Sequence, residues 1–217
     1  MLLYDSVLFD LDGTLLDTLQ DLAESTNYAL VSSGFPARSL EEIRAFVGNG
    51  VARLIHLAVP DGTSEFCEER CLALFRHYYL DHMSCKTEPY PGIRELLTAL
   101  QQSGCRIGVV SNKFDGAVKR LCRQYFGDIL SVAIGEQAGI RKKPAPDLVE
   151  CCLQCLDADP GRAVYVGDSD VDIQTAKNAG LPCISVSWGF RSRDFLIEHG
   201  ASVVIPSPLE LQKLLVY

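Results

Sequence analysis

The 217-residue sequence has no internal repeat, no low-complexity linker, no long run of like charge and no long apolar stretch. Each absence excludes something. Affinity for nucleic acid rests on clustered Lys and Arg; here 20 Lys and Arg face 28 Asp and Glu for a net charge of −8, so no nucleic-acid partner is expected. No segment approaches the roughly 20 apolar residues that span a bilayer, so no membrane partner is expected either. The N-terminus lacks a basic segment, and Asp5, Asp10 and Asp12 interrupt any signal-like core, which predicts a cytoplasmic protein. The nine cysteines are odd in number and scattered through apolar patterns, as reduced thiols are and disulfide frameworks are not. Neither the CCLQC cluster at 151–155 nor the pair Cys67 and Cys71 has a zinc-ligand spacing. Cys152 instead extends the helical stripe of Leu148, Val149, Leu153 and Leu156.

What is present is alternation. At 47% hydrophobic residues the chain can bury a real core. A strand at 6–10 is followed by about seventy residues of helical periodicity. In that stretch Ser39 and Glu42 form a capping box ahead of EEIRAFV, and a long helix covers 64–83. From Pro91 onward helices alternate with strands at CRIGVVS, 131–135, AVYVGD, CISVS and SVVIP. Such alternation predicts an α/β fold, a doubly wound parallel sheet covered on both faces. The predicted core is 1–15 with 85–217, and residues 16–84 form an inserted α-helical cap.

The stretch VLFDLDGTLL, residues 7–16, ends an apolar strand in two aspartates, which is costly unless they are compensated. Ligands of doubly wound sheets bind at the carboxyl ends of the strands. Read in order, those ends supply Asp10 and Asp12, then Ser111, Asn112 and Lys113, then Lys143-Pro144, then Asp168 to Asp172. Converging carboxylates need a cation among them, and Mg²⁺ suits hard oxygen ligands and bridges to phosphate. The pattern points to phosphoryl transfer. Asp10 is placed to attack phosphorus, and Asp12 to protonate the leaving oxygen and later activate water. Thr14 is placed to bond the loop or the phosphate. Ser111, Asn112 and Lys143 are placed on the transferring oxygens. Asp168 completes the metal site, with Asp172 behind it.

Each piece has a plainer reading alone. DLDG also reads as a capped turn, SNK as a polar strand end, and Lys143 as a solvated loop lysine. DSDVDI begins like a calcium loop, but Ile173 stands where that loop needs Gly and Ala179 where it needs Glu. The weight lies in all four strand ends occurring together and in order.

With DLDGT at 10–14, Ser111, Lys143-Pro144 and GDSDVD at 167–172, the chain resembles the haloacid dehalogenase superfamily over essentially its whole length. The cap inserted after the first motif resembles that of its phosphoglycolate phosphatase-like branch. The resemblance implies that Asp10 is the nucleophile and a metal ligand. It implies that Asp12 is the acid/base and also offers its backbone carbonyl to Mg²⁺, and that Asp168 is a direct ligand. Dehalogenases of the superfamily lack the second carboxylate, so the expected activity is a Mg²⁺-dependent phosphatase acting through an aspartyl phosphate on a small phosphorylated metabolite, with 2-phosphoglycolate the leading candidate. FVGNGVARLI, residues 46–55, is similar to the cap loop of phosphoglycolate phosphatases. Gly48, Asn49 and Gly50 present backbone N–H groups at a helix start, and Arg53 is suited to a substrate carboxylate. The alternatives are a β-phosphoglucomutase-like mutase, a nucleotidase or pyrophosphatase on the same core, and a non-catalytic binding protein. Monomer and homodimer both remain open.

Overall fold

The computed structural model describes residues 4–215; the outermost ends of the expected core, 1–3 and 216–217, lie outside them. The strands are β1 (Ser6–Phe9), β2 (Leu16–Asp17), β3 (Glu88–Pro89), β4 (Arg106–Phe114), β5 (Val132–Glu136), β6 (Ala163–Gly167), β7 (Cys183–Val186) and β8 (Val204–Ile205). The helices are α1 (Leu19–Ser32), α2 (Leu40–Phe46), α3 (Val51–Ala58), α4 (Glu65–His82), α5 (Ile93–Gln102), α6 (Asp115–Phe126), α7 (Asp147–Leu156), α8 (Asp170–Asn178), α9 (Arg193–Glu198) and α10 (Pro208–Leu215).

Two compact units emerge, one of residues 1–16 with 89–217 and one of residues 17–88. The first is built on a parallel six-stranded sheet of order β5-β4-β1-β6-β7-β8. Its middle strands read as apolar runs because both faces are covered. Val7, Leu8 and Phe9 of β1 are fully buried, as are Val164, Tyr165 and Val166 of β6. Leu8, Val110, Ile134 and Tyr165 share one core with Leu148, Val149, Cys152, Leu153 and Leu156 of α7, which confirms the plain reading of Cys152. All nine cysteines are free thiols. The last expected strand, SVVIP, shrinks to Val204–Ile205 at the sheet edge, where one neighbour leaves little to pair with.

The helical unit packs α1 along α4. Cys71, Phe75 and Tyr79, spaced by four, form the buried stripe of α4, while Phe66 of the same helix is 74% exposed. Ser39 and Glu42 make the capping box at the start of α2. The boundaries expected from the sequence are 15/16 and 84/85; the units divide at 16/17 and 88/89. Residues 85–88 stay with the helices because Asp21, buried on α1, accepts the backbone N–H of Lys86 at 3.0 Å and of Thr87 at 2.9 Å, plus the Thr87 hydroxyl at 2.7 Å. Two very short strands, β2 and β3, mark these crossings. Among the described residues no helix is long and apolar enough to cross a membrane.

Asp21→Ala strips three buried or half-buried donors of their acceptor. It should lower stability by about 1–3 kcal/mol, read from the urea midpoint. An unchanged midpoint would remove Asp21 from that role.

Candidate active site

The site begins where β1 ends. The Asp10 N–H continues the ladder onto Val166 O at 2.9 Å, so this aspartate is carried between β1 and β6. The chain then tightens: Leu11 O accepts the N–H groups of Thr14, Leu15 and Leu16, and Gly13 N donates to Leu16 O at 2.9 Å. Gly13 sits at φ +84°, and a Cβ there would overlap the Asp168 carboxylate. Only glycine lets the turn and the end of β6 approach so closely.

Lys143 lies at the centre. Its side chain is 2% exposed, and its ammonium lies 2.9 Å from Asp10 Oδ1, 2.8 Å from Asp172 Oδ1 and 3.0 Å from the Tyr165 hydroxyl. Asp10 Oδ1 also accepts the Leu11 N–H at 2.7 Å. Burial pushes the Asp10 carboxyl up to about 7, with Lys143 pulling it back and Asp172 and Asp12 adding to the rise. Burial opposes the Lys143 charge, yet Asp10 and Asp172 outweigh it and hold the ammonium well above the usual lysine range. Asp172 is fully used: Oδ1 faces Lys143 and Tyr165, and Oδ2 accepts from Ser169 N at 3.1 Å and Ser169 Oγ at 2.6 Å. That saturation fits a carboxylate standing behind a metal site better than a direct ligand.

Asp12 has a lysine of its own. Lys113 Nζ lies 2.9 Å from Asp12 Oδ1, with side chains 2% and 13% exposed. Lys113 reaches it from the irregular end of β4, where the register against β5 shifts between Val110 and Phe114, and bulges of this kind re-aim side chains. Gly135 of β5 permits the irregularity, since a Cβ there would stand 2.5 Å from the Lys113 carbonyl oxygen.

Asp168 is held by Thr14 Oγ1, donating to Oδ1 at 3.2 Å, and by the Phe190 N–H, donating to Oδ2 at 2.7 Å. Trp188 fixes the same turn by donating its indole N–H to Thr14 O at 3.0 Å. Burial, then Asp172 and Asp10, push the Asp168 carboxyl well above the usual range. Among the described residues, Asp10, Asp168 and Asp172 are the only His, Cys, Asp or Glu group whose ligand atoms converge, all within 4.8 Å. The donors are all oxygen, and burial raises the carboxyls of Asp10 and Asp168. Both facts fit a hard divalent cation. No cysteine cluster competes.

The sheet end therefore brings together Asp10, Asp12, Thr14, Ser111, Asn112, Asp168 and Asp172, and Lys143 joins them from the loop between β5 and α7 instead of from a strand end. Ser111 Oγ accepts the Lys113 N–H at 3.2 Å, and Asn112 Nδ2 donates to Lys143 O at 3.0 Å. Gly48, Asn49, Gly50 and Arg53 belong to the helical unit, at the start of α3; Gly50 is its N-cap at φ +82°, and Arg53 is exposed. Sequence reasoning missed the partner role of Lys113, the hydroxyl of Tyr165 and the 188–190 turn. A lysine ending an apolar strand is a signal that could have found the first. A tyrosine inside AVYVG looks like any core aromatic.

The raised carboxyls predict a pH effect. A proton binds Asp10 more tightly in the folded chain than in the unfolded one, so its stabilising contribution is complete at low pH and is lost as pH rises through about 7. In chelator the protein should melt lower at pH 8 than at pH 6, and added Mg²⁺ should raise the melting temperature more at pH 8. Equal Mg²⁺ shifts at both pH values would argue against cation binding at Asp10 and Asp168.

The sequence profile of the haloacid dehalogenase-like hydrolases matches residues 7–186. A phosphoglycolate phosphatase of Pseudomonas syringae pv. tomato is 33% identical over 205 residues, 92% of this chain and 75% of that one. One from Chromobacterium violaceum is 33% identical over 216 residues, 97% and 96% of the two chains. A crystal structure from Lactobacillus delbrueckii subsp. bulgaricus, given provisionally as a phosphoglycolate phosphatase, superposes with a TM-score of 0.94 at 37% identity, covering 100% of both chains. The resemblance read from the four strand-end motifs and the match along the chain agree: this protein belongs to the haloacid dehalogenase-like hydrolase family.

Proposed function

We propose that the protein is a cytoplasmic, Mg²⁺-dependent phosphatase that hydrolyses a small phosphomonoester, best 2-phosphoglycolate, through a phosphorylated Asp10. The observation that carries this reading is a pair of carboxylates two residues apart, each held at 2.9 Å by its own buried lysine. The relatives' activity supports the choice of substrate.

With Asp10 Oδ1 engaged by Lys143 and the Leu11 N–H, Oδ2 is the oxygen that attacks phosphorus. As the acyl phosphate forms, Asp10 loses its negative charge and the Lys143 ammonium turns to the phosphoryl oxygens. Ser111 Oγ accepts from Lys113 N and keeps its own hydrogen for a phosphoryl oxygen. Asn112 and Thr14, expected at the phosphate, are assigned positioning work through Lys143 O and Asp168 Oδ1. Asp12 gives a proton to the leaving oxygen, then takes one from the water that releases phosphate. Mg²⁺, held by Asp10, Asp168 and the Asp12 carbonyl, would neutralise charge on the transferring group. The helical unit is assigned the role of a substrate-selecting cap through Gly48, Asn49, Gly50 and Arg53.

Asp10→Asn should cut turnover by on the order of 10⁴-fold with an unchanged circular dichroism spectrum. In ¹⁸O-labelled water the released phosphate should carry label; efficient transfer to an added sugar phosphate instead would favour the mutase. Arg53→Ala should raise KM for 2-phosphoglycolate by about tenfold, as expected for one charge-assisted contact, and change that for a neutral ester less. Equal changes would remove Arg53 from recognition.

A further inference from the structure

The turn that follows β7 supplies no group to phosphoryl transfer, yet it closes over the carboxylate cluster. Trp188 donates its indole N–H to Thr14 O at 3.0 Å. Thr14 Oγ1 donates to Asp168 Oδ1 at 3.2 Å, and the Phe190 N–H donates to Asp168 Oδ2 at 2.7 Å. These contacts form a ring, from Trp188 to Thr14, on to Asp168, on to Phe190 and back along the chain to Trp188. We infer that Trp188 is a positioning residue for Asp168, and that its indole N–H closes the ring that fixes the orientation of this metal-binding carboxylate. The inference rests on the proposed Mg²⁺ reading and adds to it a residue outside the motifs that sets the cation affinity.

Three observations carry it. The first is the route of the ring. In the sheet the strands run β1-β6-β7, and Asp168 follows the middle one. Thr14 lies in the turn after β1, and Trp188 and Phe190 lie in the turn after β7. Asp168 is thus held from the ends of both flanking strands, and the indole bond ties those two holds to each other.

The second is close approach. A Cβ on Gly189 would stand 2.5 Å from Asp168 Oδ2 and would overlap the Gly13 carbonyl oxygen, while a Cβ on Gly13 would overlap the Asp168 carboxylate. Glycine at both places lets two backbones lie directly against one side chain, which is 2% exposed. The fit holds only while the two turns keep their spacing, and Trp188 is the side chain that bridges them.

The third is what the ring leaves open. A carboxylate accepts at about four lone-pair positions, and Thr14 and Phe190 each take one, on different oxygens. A position therefore remains on each oxygen, and an Asp168 oxygen lies within 4.8 Å of one on Asp10 and one on Asp172. Mg²⁺ demands a near-ideal octahedron at about 2.0–2.1 Å, whereas Ca²⁺ accepts longer and more variable distances. Partners that orient a metal ligand typically change affinity by about 10–100-fold. Opening the ring at Trp188 frees the carboxylate to turn, which weakens Mg²⁺ more than Ca²⁺. An indole that served packing alone would meet the same carbonyl and leave both cations unaffected.

Trp188 is the only tryptophan in the chain, so replacing tryptophan by its benzothiophene analogue, which exchanges the indole N–H for sulfur at nearly constant shape, alters this one bond. Calorimetry on the intact protein without substrate, for this form and for Trp188→Phe, measures Mg²⁺ and Ca²⁺ binding. In both, the Mg²⁺ Kd should rise about tenfold and the Ca²⁺ Kd by no more than about threefold. In turnover the half-saturating Mg²⁺ concentration should rise by as much, with a smaller fall in kcat at saturating Mg²⁺. Thr14→Val keeps the carbonyl acceptor and removes the hydroxyl; it should weaken Mg²⁺ as well, and adding Trp188→Phe should then change little, because the ring is already open. The benzothiophene form carries the test if Trp188→Phe melts too low to titrate. An unchanged Mg²⁺ Kd in both forms would overturn the inference and leave Trp188 a packing residue. Equal losses for Mg²⁺ and Ca²⁺, or losses strictly additive with those of Thr14→Val, would overturn it while leaving the Mg²⁺ reading intact. A wild-type protein that binds no Mg²⁺ would sink that reading and the inference together.

Discussion

The contact on which the site depends is the ammonium of Lys143, enclosed among Asp10, Asp172 and Tyr165. An ion of that charge is stable in a protein interior only when its hydrogen-bonding capacity is met. Its three donors have three acceptors, and each comes from a different piece of chain: the end of β1, the first turn of α8 and the middle of β6. Tyr165 in turn reaches Val110 O of β4 at 3.3 Å. One side chain therefore ties three adjacent strands and a helix to a common point. The carboxylates at the strand ends are tolerable because this point exists, and its geometry decides which Asp10 oxygen stays available.

Around it the site is layered by how each carboxylate is used. Asp172 spends both oxygens on the protein, so it supplies charge and rigidity. Asp168 is aimed by Thr14 and the Phe190 N–H. Asp10 and Asp12 are each restrained at Oδ1 by a lysine. Burial, with the neighbouring carboxylates adding to it, raises the carboxyls of Asp10 and Asp168, and a cation placed among them would favour their ionised forms.

Much of this was legible in the sequence because strand ends are legible. An apolar run that stops at a carboxylate or a lysine marks both a β-strand and the place where ligands gather, and the ends of β1, β4 and β6 carry most of the cluster, while Lys143 reaches it from the loop after β5. The rest depends on relations that no local pattern encodes. The pairing of Lys113 with Asp12 follows from a register shift in β4 that is visible only against Gly135 on the neighbouring strand. Tyr165 matters through a hydroxyl at the end of a ring that is otherwise ordinary core. Asp21 binds a segment 65 and 66 residues away, so the limit of the helical unit could not be read from periodicity near residue 85.

The sheet order also bears on how the molecule comes into being. β1 lies at the centre, yet Val7 pairs with Ile107 on one side and with Val164 on the other. At roughly 5–20 residues per second of synthesis, the apolar strand waits several seconds for its first partner and longer for its second. The helical segment, emerging in between, makes its contacts over much shorter separations and can organise in the interval. Asp10, the proposed nucleophile, is made more than 150 residues ahead of Tyr165, Asp168 and Asp172. A product stalled before β6 therefore holds Asp10 at an unfinished sheet edge, and the proposed centre stays incomplete until β6 and the first turn of α8 have been made.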